Sequence, residues 1–554
     1  MPYPIKYIEN NLVWNIEGEC FAYYELIPFN YSFLSLEQKD AVHDAFRQLI
    51  AQNRDGKIHA LQISTESSIR AAQERSKKSV TGRLKEIACA EIDEQTENLI
   101  ASLGDTQVDY RFFIGFKLVV TDKELSVKEV GNAAKNLLHD AVNAIGHSFM
   151  GDFVSMPNDE IRRYSRMEKL MENKLSRRFK VRRLNKNDFG YLLEHIYGRT
   201  GTAYEDFAFT LPLKKRMCDT LVKKYDLIKP ARCLIEEKQR YMRIKSEDSE
   251  SYVAYFTISD VVGELDFPSS EIFYYQEQQF DFAIDTSMNV EIITNKAALH
   301  TVRNKKKELK DLDNHAWENN SETTNQVAEA LDSVDELESV LDQSKESMYK
   351  LSYVVRVTAP DVEELKRRCN QVRDFYDDAS IKLVRPVGDM MGLHNEFIPA
   401  SKRYMNDYVQ YVTSDFLAGL GFGATQMLGE RDGIYLGYNV DTDQNVYVQP
   451  ARAAQGVKGS VTNALSGAFL GSLGGGKSLS FNLLTYYAVL NGAQALILDP
   501  KSERGLWKEK LPEIADEINI VNLTSDEENK GMLDPYIIMR KTKDAESLAL
   551  DVLT

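Results

Sequence analysis

The sequence predicts an α/β protein: a mixed α+β region that includes a helical hairpin, followed by the start of a domain built on a strand–loop–helix–strand unit. Three observations carry this. Segments with a two-residue hydrophobic period alternate with segments of helical period throughout the chain before Glu430. A long helical region beginning near Lys296 changes the sign of its charge half-way along. A glycine-rich loop at Gly471–Lys477 stands between a short apolar run and an amphipathic helical stretch.

The elements follow in order. Leu12 to Ile27 reads as a strand pair turning at Glu17-Gly18, and Leu36 to Gln52 as a helix with Ala41, Ala45, Leu49 and Ile50 on one face. Lys57 to Ser64 alternates as a strand. A polar helical stretch to Leu103, a strand over Arg111–Val120 and a helix over Lys128–Ile145 come next. Arg162 to Asp188 holds 11 Lys/Arg against three acids, which fits either contact with anionic lipid or nucleic acid or a solvated face paired with acids of this acidic chain. "SYVAYFTI" and "FDFAIDTSM" are strands. Arg303 to Lys310 is basic, whereas Glu318 to Glu346 has nine acids and one lysine, with Val327, Leu331, Val334, Leu337 and Leu341 at coiled-coil-like spacing. An antiparallel hairpin whose arms attract each other is expected there, although two solvated arms would have the same composition. "LSYVVRVTA" is a strand. Asp361 caps a following helix, with Glu364 three residues on, and "IKLVRP" is again a strand. Pro386 to Pro399 reads as linker, and "LAGLGFGA" (Leu417–Ala424), which lacks dinucleotide-fingerprint spacing, as a turn. The expected divisions are 1–155, an α/β subdomain; 156–250, a basic helical segment; 251–390, a second α/β subdomain with the hairpin at about 295–346; 391–430, a linker; and 431–554, a P-loop domain.

Composition excludes several classes. With 43% hydrophobic and 27% charged residues the 554-residue chain is globular rather than disordered. A net charge of −16 makes it a poor candidate for coating DNA or an anionic membrane with its whole surface. Five cysteines without a CxxC pair predict reduced thiols, and eight histidines without HExxH argue against a zinc enzyme. Met1 to Glu9 has no secretory pattern. Ser478 to Leu498 has 21 residues without a charge, but Asn482, Asn491-Gly492 and Gln494 interrupt it, so it reads as a buried helix and strand and not a membrane span.

The motif with chemistry is "GSLGGGKS". Gly471, four residues, then Gly476-Lys477-Ser478 is the P-loop pattern. Ala468-Phe469-Leu470 is expected to end a buried strand, Ser478–Leu490 to be a helix, and "AQALILD" to be a parallel buried strand. Glycines at 471, 474, 475 and 476 let backbone N–H groups, continuing to Leu479, face phosphate oxygens at a helix N-terminus. Lys477 supplies a full positive charge toward the β- and γ-phosphates of ATP, and Ser478 a hydroxyl to Mg²⁺. Asp499 has two readings, a Mg²⁺-side carboxylate or the cap of a turn before Pro500, and Glu503 is a candidate to polarise the attacking water.

At "GSLGGGKS", "LILDPKSERGLW" and Leu533-Asp534-Pro535-Tyr536 the chain resembles the CagE/TrbE/VirB family of type IV secretion and conjugation ATPases, in the form found on Gram-positive conjugative elements. Asp534 and Tyr536 depart from that family's "NPF"-like turn. "RPVGDMMGLHNEFIPASK" and "GIYLGYNVDTDQNVYV" are similar to its linker and the first strands of its ATPase core. The resemblance implies a RecA-like motor of HerA/FtsK type, often hexameric, using ATP and Mg²⁺. It implies a cytoplasmic protein, peripheral at the cytoplasmic membrane, whose partners are other channel proteins and which does not read DNA sequence; residues 162–188 are a candidate membrane contact on their charge alone, with the solvated, internally paired face as the alternative. Only 84 residues run from Gly471 to Thr554, so an ATPase domain incomplete at its C-terminus is expected, without the later acidic pair and arginine finger. Such a chain would bind nucleotide but hydrolyse it poorly. The alternatives are a non-hydrolytic scaffold of the channel and a DNA-translocating coupling or FtsK-like motor, which usually carries N-terminal membrane helices.

Overall fold

The structure, a computed structural model, describes residues 3–53, 56–119, 158–198, 222–223, 233–246, 250–261, 267–318, 325–455, 466–521, 531, 534–539 and 541–553. The helix expected over Lys128–Ile145 lies outside them. The chain forms two compact units, one of residues 1–74 and 98–465, the other of 75–97 and 466–554.

Among the described residues the first unit is organised by one 14-stranded sheet. Its main path runs Val222–Lys223, Ile5–Glu9, Leu12–Asn15, Cys20–Leu26, Thr106–Lys117, Lys57–Ser68, Ile284–Ile293, Met348–Ala359, Glu250–Val261, Met242–Lys245, Leu234–Glu237. The pairings are antiparallel. The expected strand pair around Gly18 is present, with Leu12 opposite Ala22 and Trp14 opposite Cys20. Gly18 has φ +81°, the left-handed turn position that glycine occupies without strain.

Strand Cys20–Leu26, a nearly continuous apolar run, is buried on both faces, with successive side chains alternating between them. Cys20, Ala22, Tyr24 and Leu26 join one core while Phe21 and Tyr23 join the other. Helices Leu36–Ala51, Ile272–Gln279 and Val362–Asp378 bury Phe46, Leu49, Phe273, Leu365, Val372 and Tyr376 in the first core. Helix starts are fixed locally: Ser35 and Gln38 form a capping box, and Asp361 accepts from the Glu364 N–H at 2.9 Å.

The second core is closed by helix Lys186–Gly198 and by residues expected to be linker. Met390, Leu393, Phe397, Ile398 and Ala400 are fully buried in it. Irregular backbone survives burial only when its polar groups are satisfied. Here the buried Glu396 supplies the partners. Its carboxylate accepts from Ser352 Oγ (2.6 Å) and from the Tyr404 and Met405 N–H groups (2.9 and 3.1 Å), and its carbonyl accepts from Ser287 Oγ at 2.7 Å. The segment 391–430 is therefore a structural part of the first unit. "LAGLGFGA" is more than a turn, because helix Ser414–Gly419 enters it. At Gly423 (φ +90°) a Cβ would lie 2.5 Å from Leu26 Cδ2.

The sheet also crosses the divisions expected at 155, 250 and 390. Strand Lys57–Ser68 pairs with Ile284–Ile293, which joins the two halves edge to edge. No boundary can fall where strands share a ladder and one core covers both sides of it.

Helices Asn295–Glu318 and Asn325–Ser344 pack along each other. Leu341 is buried against Ala298, Leu299, Val302 and Met348, with Val334 and Leu337 alongside. Arg303 Nε donates to Glu338 at 2.8 Å, and Lys306 Nζ lies 2.7 Å from Asp335 and 2.8 Å from Glu338. Hydrogen bonds from Lys306 and Arg303 hold the Glu338 carboxyl down at about 2. In the basic stretch, Arg182 pairs with Glu25 and Asp188, and Arg183 with Glu168 and Glu172. These two arginines are spent on internal carboxylates.

Candidate nucleotide-binding site

In the second unit, helix Lys477–Leu490 is the central element. Its apolar spacing gives it one packing face, where Leu490 is buried with Val80, Ala88 and Ile514 while Tyr486, Tyr487, Leu84, Ile87 and Ile92 pack alongside. The partner residues 75–97 come from helices Ile69–Ser79 and Lys85–Leu103 and so belong to the second unit rather than to the 1–155 subdomain that the sequence predicts. Their signal was present as Val80, Leu84, Ala88 and Ile92, a four-residue stripe in an otherwise polar stretch. Gly492 ends the helix with φ +98°, and a Cβ there would meet the Thr81 carbonyl oxygen at 2.6 Å.

The loop before the helix has the backbone that its glycines permit. Gly474 and Gly476 have φ of +81° and +79°, and Gly476 is the N-cap. The Gly475 N–H bonds to the Ser472 carbonyl at 3.1 Å, and the Ser480 N–H closes the first helical turn on Gly476 at 2.9 Å. A Cβ at Gly471 would lie 3.3 Å from Lys477 Cγ, so a side chain there would crowd the lysine. Lys477 Nζ donates to the Ser472 carbonyl at 2.6 Å, which holds the ammonium over the loop. Ser478 and Leu479 occupy the first turn and face solvent. Free N–H groups at the first turn of a helix carry partial positive charge, and with Lys477 they make an anion site suited to phosphate.

The flanking strands differ from expectation. Neither Ala468–Leu470 nor "AQALILD" is in a strand, and Leu470, Leu496 and Leu498 are 90%, 91% and 82% exposed. A strand is defined by a neighbour, and no described residue pairs with these segments.

Asp499 ends the second segment. Its carboxylate accepts from the Lys501 N–H (3.1 Å) and the Arg504 N–H (2.9 Å), and Arg504 Nη1 is 3.4 Å away. The Arg504 N–H bond first, then the Lys501 N–H and the guanidinium, hold its carboxyl below the usual range. This is the turn cap that the Asp-Pro pair suggested. Glu503 is exposed, with no hydrogen bond or ion pair among the described residues. Asp534 caps the short helix Pro535–Ile538, while Leu533 lies outside the described residues. No group of three or more His, Cys, Asp or Glu among the described residues is placed to hold a metal, and no described helix is long and apolar enough to cross a membrane.

Residues 444–554 match the family model of an AAA-like domain. The match contains the whole loop and helix, and begins inside the hairpin Ile434–Tyr438/Asn445–Val448, which belongs to the first unit. Over nearly its full length the chain is similar to an uncharacterized Bacillus subtilis (strain 168) protein, YddE. The two are 19% identical over 576 positions that cover 98% of this chain and 67% of that protein. The AAA-like match fits a P-loop nucleoside triphosphatase in general and agrees with the α/β class.

Proposed function

We propose that this chain binds ATP with Mg²⁺ through Gly471–Leu479 and belongs to an ATPase that powers assembly of a conjugative or type IV secretion apparatus and transfer of its substrate. The observation that carries the nucleotide reading is the loop itself. Two left-handed glycines, a lysine held over the backbone and a 14-residue helix form an anion cradle that side chains at the glycine positions would disrupt. Mg²⁺, when bound with the nucleotide, neutralises phosphate charge; the Ser478 hydroxyl would hold it, and Asp499, linked through Arg504 to Asn482 of the same helix, is the candidate metal-side carboxylate. Lys477 orients the β- and γ-phosphates, and Glu503, free in solvent, is available to orient water.

The conjugative setting is supported by the resemblance at "LILDPKSERGLW" and by the AAA-like match. Its natural partners are other channel proteins at the cytoplasmic face of the membrane and further copies of the chain in a hexamer. A scaffold role without hydrolysis is the second reading, favoured by the size of the first unit, whose two cores hold most of the buried residues. Isothermal titration with ATP and Mg²⁺ tests the nucleotide reading. Lys477→Ala should weaken binding at least tenfold, and equal affinity in the two proteins would end it. Loss of apparatus assembly in cells carrying Lys477→Ala would separate the motor from the scaffold; normal assembly would favour the scaffold.

A further inference from the structure

Arg504 makes more directed contacts than any function so far assigned requires. Its backbone N–H and Nη1 hold the two oxygens of Asp499 at 2.9 and 3.4 Å, while Nε donates to Asn482 Oδ1 at 2.9 Å on the P-loop helix. The guanidinium lies 5.6 Å from the Phe481 ring centroid and 5.8 Å from that of Trp507. Arg504 is 18% exposed and Asp499 15%, in a region where most side chains face solvent.

The helix geometry gives these contacts a direction. Ser478 and Asn482 are four residues apart, so they share one face of the helix, separated by about 6 Å of rise. Arg504 therefore ties the Asp499 carboxylate to the face that carries the Ser478 hydroxyl. Asp499 Oδ1 faces both the Lys501 N–H and Arg504 Nη1, whereas Oδ2 accepts only the Arg504 N–H, so of the roughly four acceptor positions of a carboxylate Oδ2 keeps one for water. Turn cap and metal-side carboxylate are thus compatible roles for Asp499: the cap fixes where the remaining Oδ2 lone pair points.

We propose that Arg504 is a positioning residue that clamps Asp499 to Asn482, holding the carboxylate on the Ser478 side of the P-loop helix to reach the nucleotide's Mg²⁺ through water. This rests on the nucleotide reading above. The span explains the residue type. A planar guanidinium sends Nε one way and Nη1 another, whereas a lysine ammonium is a single point that cannot serve both partners at these positions.

The test is the affinity of the full chain for ATP measured by titration calorimetry with Mg²⁺ and with EDTA. Arg504→Ala should keep its EDTA affinity within about twofold of wild type and lose most of the Mg²⁺-dependent gain. Asp499→Asn should share that loss, and Arg504→Lys should not restore it. Asn482→Ala, which cuts the helix anchor but keeps the Arg504–Asp499 pair, should give an intermediate loss and serves as the test should Arg504→Ala fail to fold. An unchanged Mg²⁺ gain in Arg504→Ala or in Asn482→Ala would overturn the proposal, as would equal weakening with and without Mg²⁺, the mark of a purely structural role. Lys477→Ala run alongside separates the two failures, because undiminished binding there refutes the nucleotide reading itself.

Discussion

Arg356→Met should be among the most destabilising single changes in the first unit. Arg356 is 1% exposed on strand Met348–Ala359. Its Nη1 lies 3.1 Å from Asp285 Oδ2 and donates to the His195 carbonyl at 3.3 Å, and Nη2 donates to the Ile196 carbonyl at 3.1 Å. Asp285 also accepts from the Ser64 N–H and Oγ at 2.8 and 2.7 Å and contacts His195 Nε2 at 3.0 Å. The cluster ties three neighbouring strands to helix Lys186–Gly198. Methionine approximates the arginine stem but leaves a buried carboxylate without its permanent cation and two carbonyls without donors. Breaking a buried pair costs about 3–5 kcal/mol, and orphaned carbonyls lie within the same scale. Urea unfolding followed by hydrogen exchange of peptides covering 284–293 and 348–359 measures it. Asp285→Asn should cost less on an Arg356→Met background than on wild type, with a coupling of about 2 kcal/mol or more. A loss below about 1 kcal/mol for Arg356→Met, or strict additivity, would refute the reasoning. Burial pushes the Asp285 carboxyl up, but His195 and Arg356 outweigh it and hold the group well below its ordinary value. The folded value is the depressed one, so this stabilisation is present above the unfolded carboxyl value of about 4 and disappears as pH falls through the folded value.

Glu277 behaves oppositely: burial raises its carboxyl to about 8, against about 4.3 when unfolded. The unfolded chain loses that proton first, so stability falls as pH rises between these values. Glu277→Gln should gain on wild type from pH 5 to 8 by at most about 1.4 kcal/mol per unit in denaturation curves, and parallel curves would refute this. Gly423→Ala should lower stability by about 1–3 kcal/mol, because its Cβ meets Leu26 and its φ is left-handed, whereas Gly419→Ala, with open space around it, should be near neutral by the same thermal melts. Glu338→Gln should speed hydrogen exchange in 325–344 at low salt, and the difference from wild type should close at 1 M salt if solvent-exposed ion pairing is the cause.

What the sequence by itself determined is local. The loop Gly471–Ser478, the strand pair at Gly18 and the caps at Ser35 and Asp361 depend on residue types within a few positions of one another. The hairpin's charge asymmetry was equally visible, because sign and spacing lie in the chain itself. The tertiary structure decided everything that depends on distant partners. Residues 391–430 read as linker from their Pro, Gly and polar content, but Glu396 receives the Ser352 and Ser287 hydroxyls from strands far along the chain, and that satisfaction lets Phe397 and Ile398 reach the core. The runs around Leu470 and Leu496 read as buried strands from composition, yet burial is a property of neighbours, and no described residue supplies them. Asp499 shows the same division at the candidate site. Asp-Pro announced a cap, but only the tertiary structure brought Arg504 to both Asp499 and Asn482, linking that carboxylate to the P-loop helix, because a side chain's direction is set by what it touches.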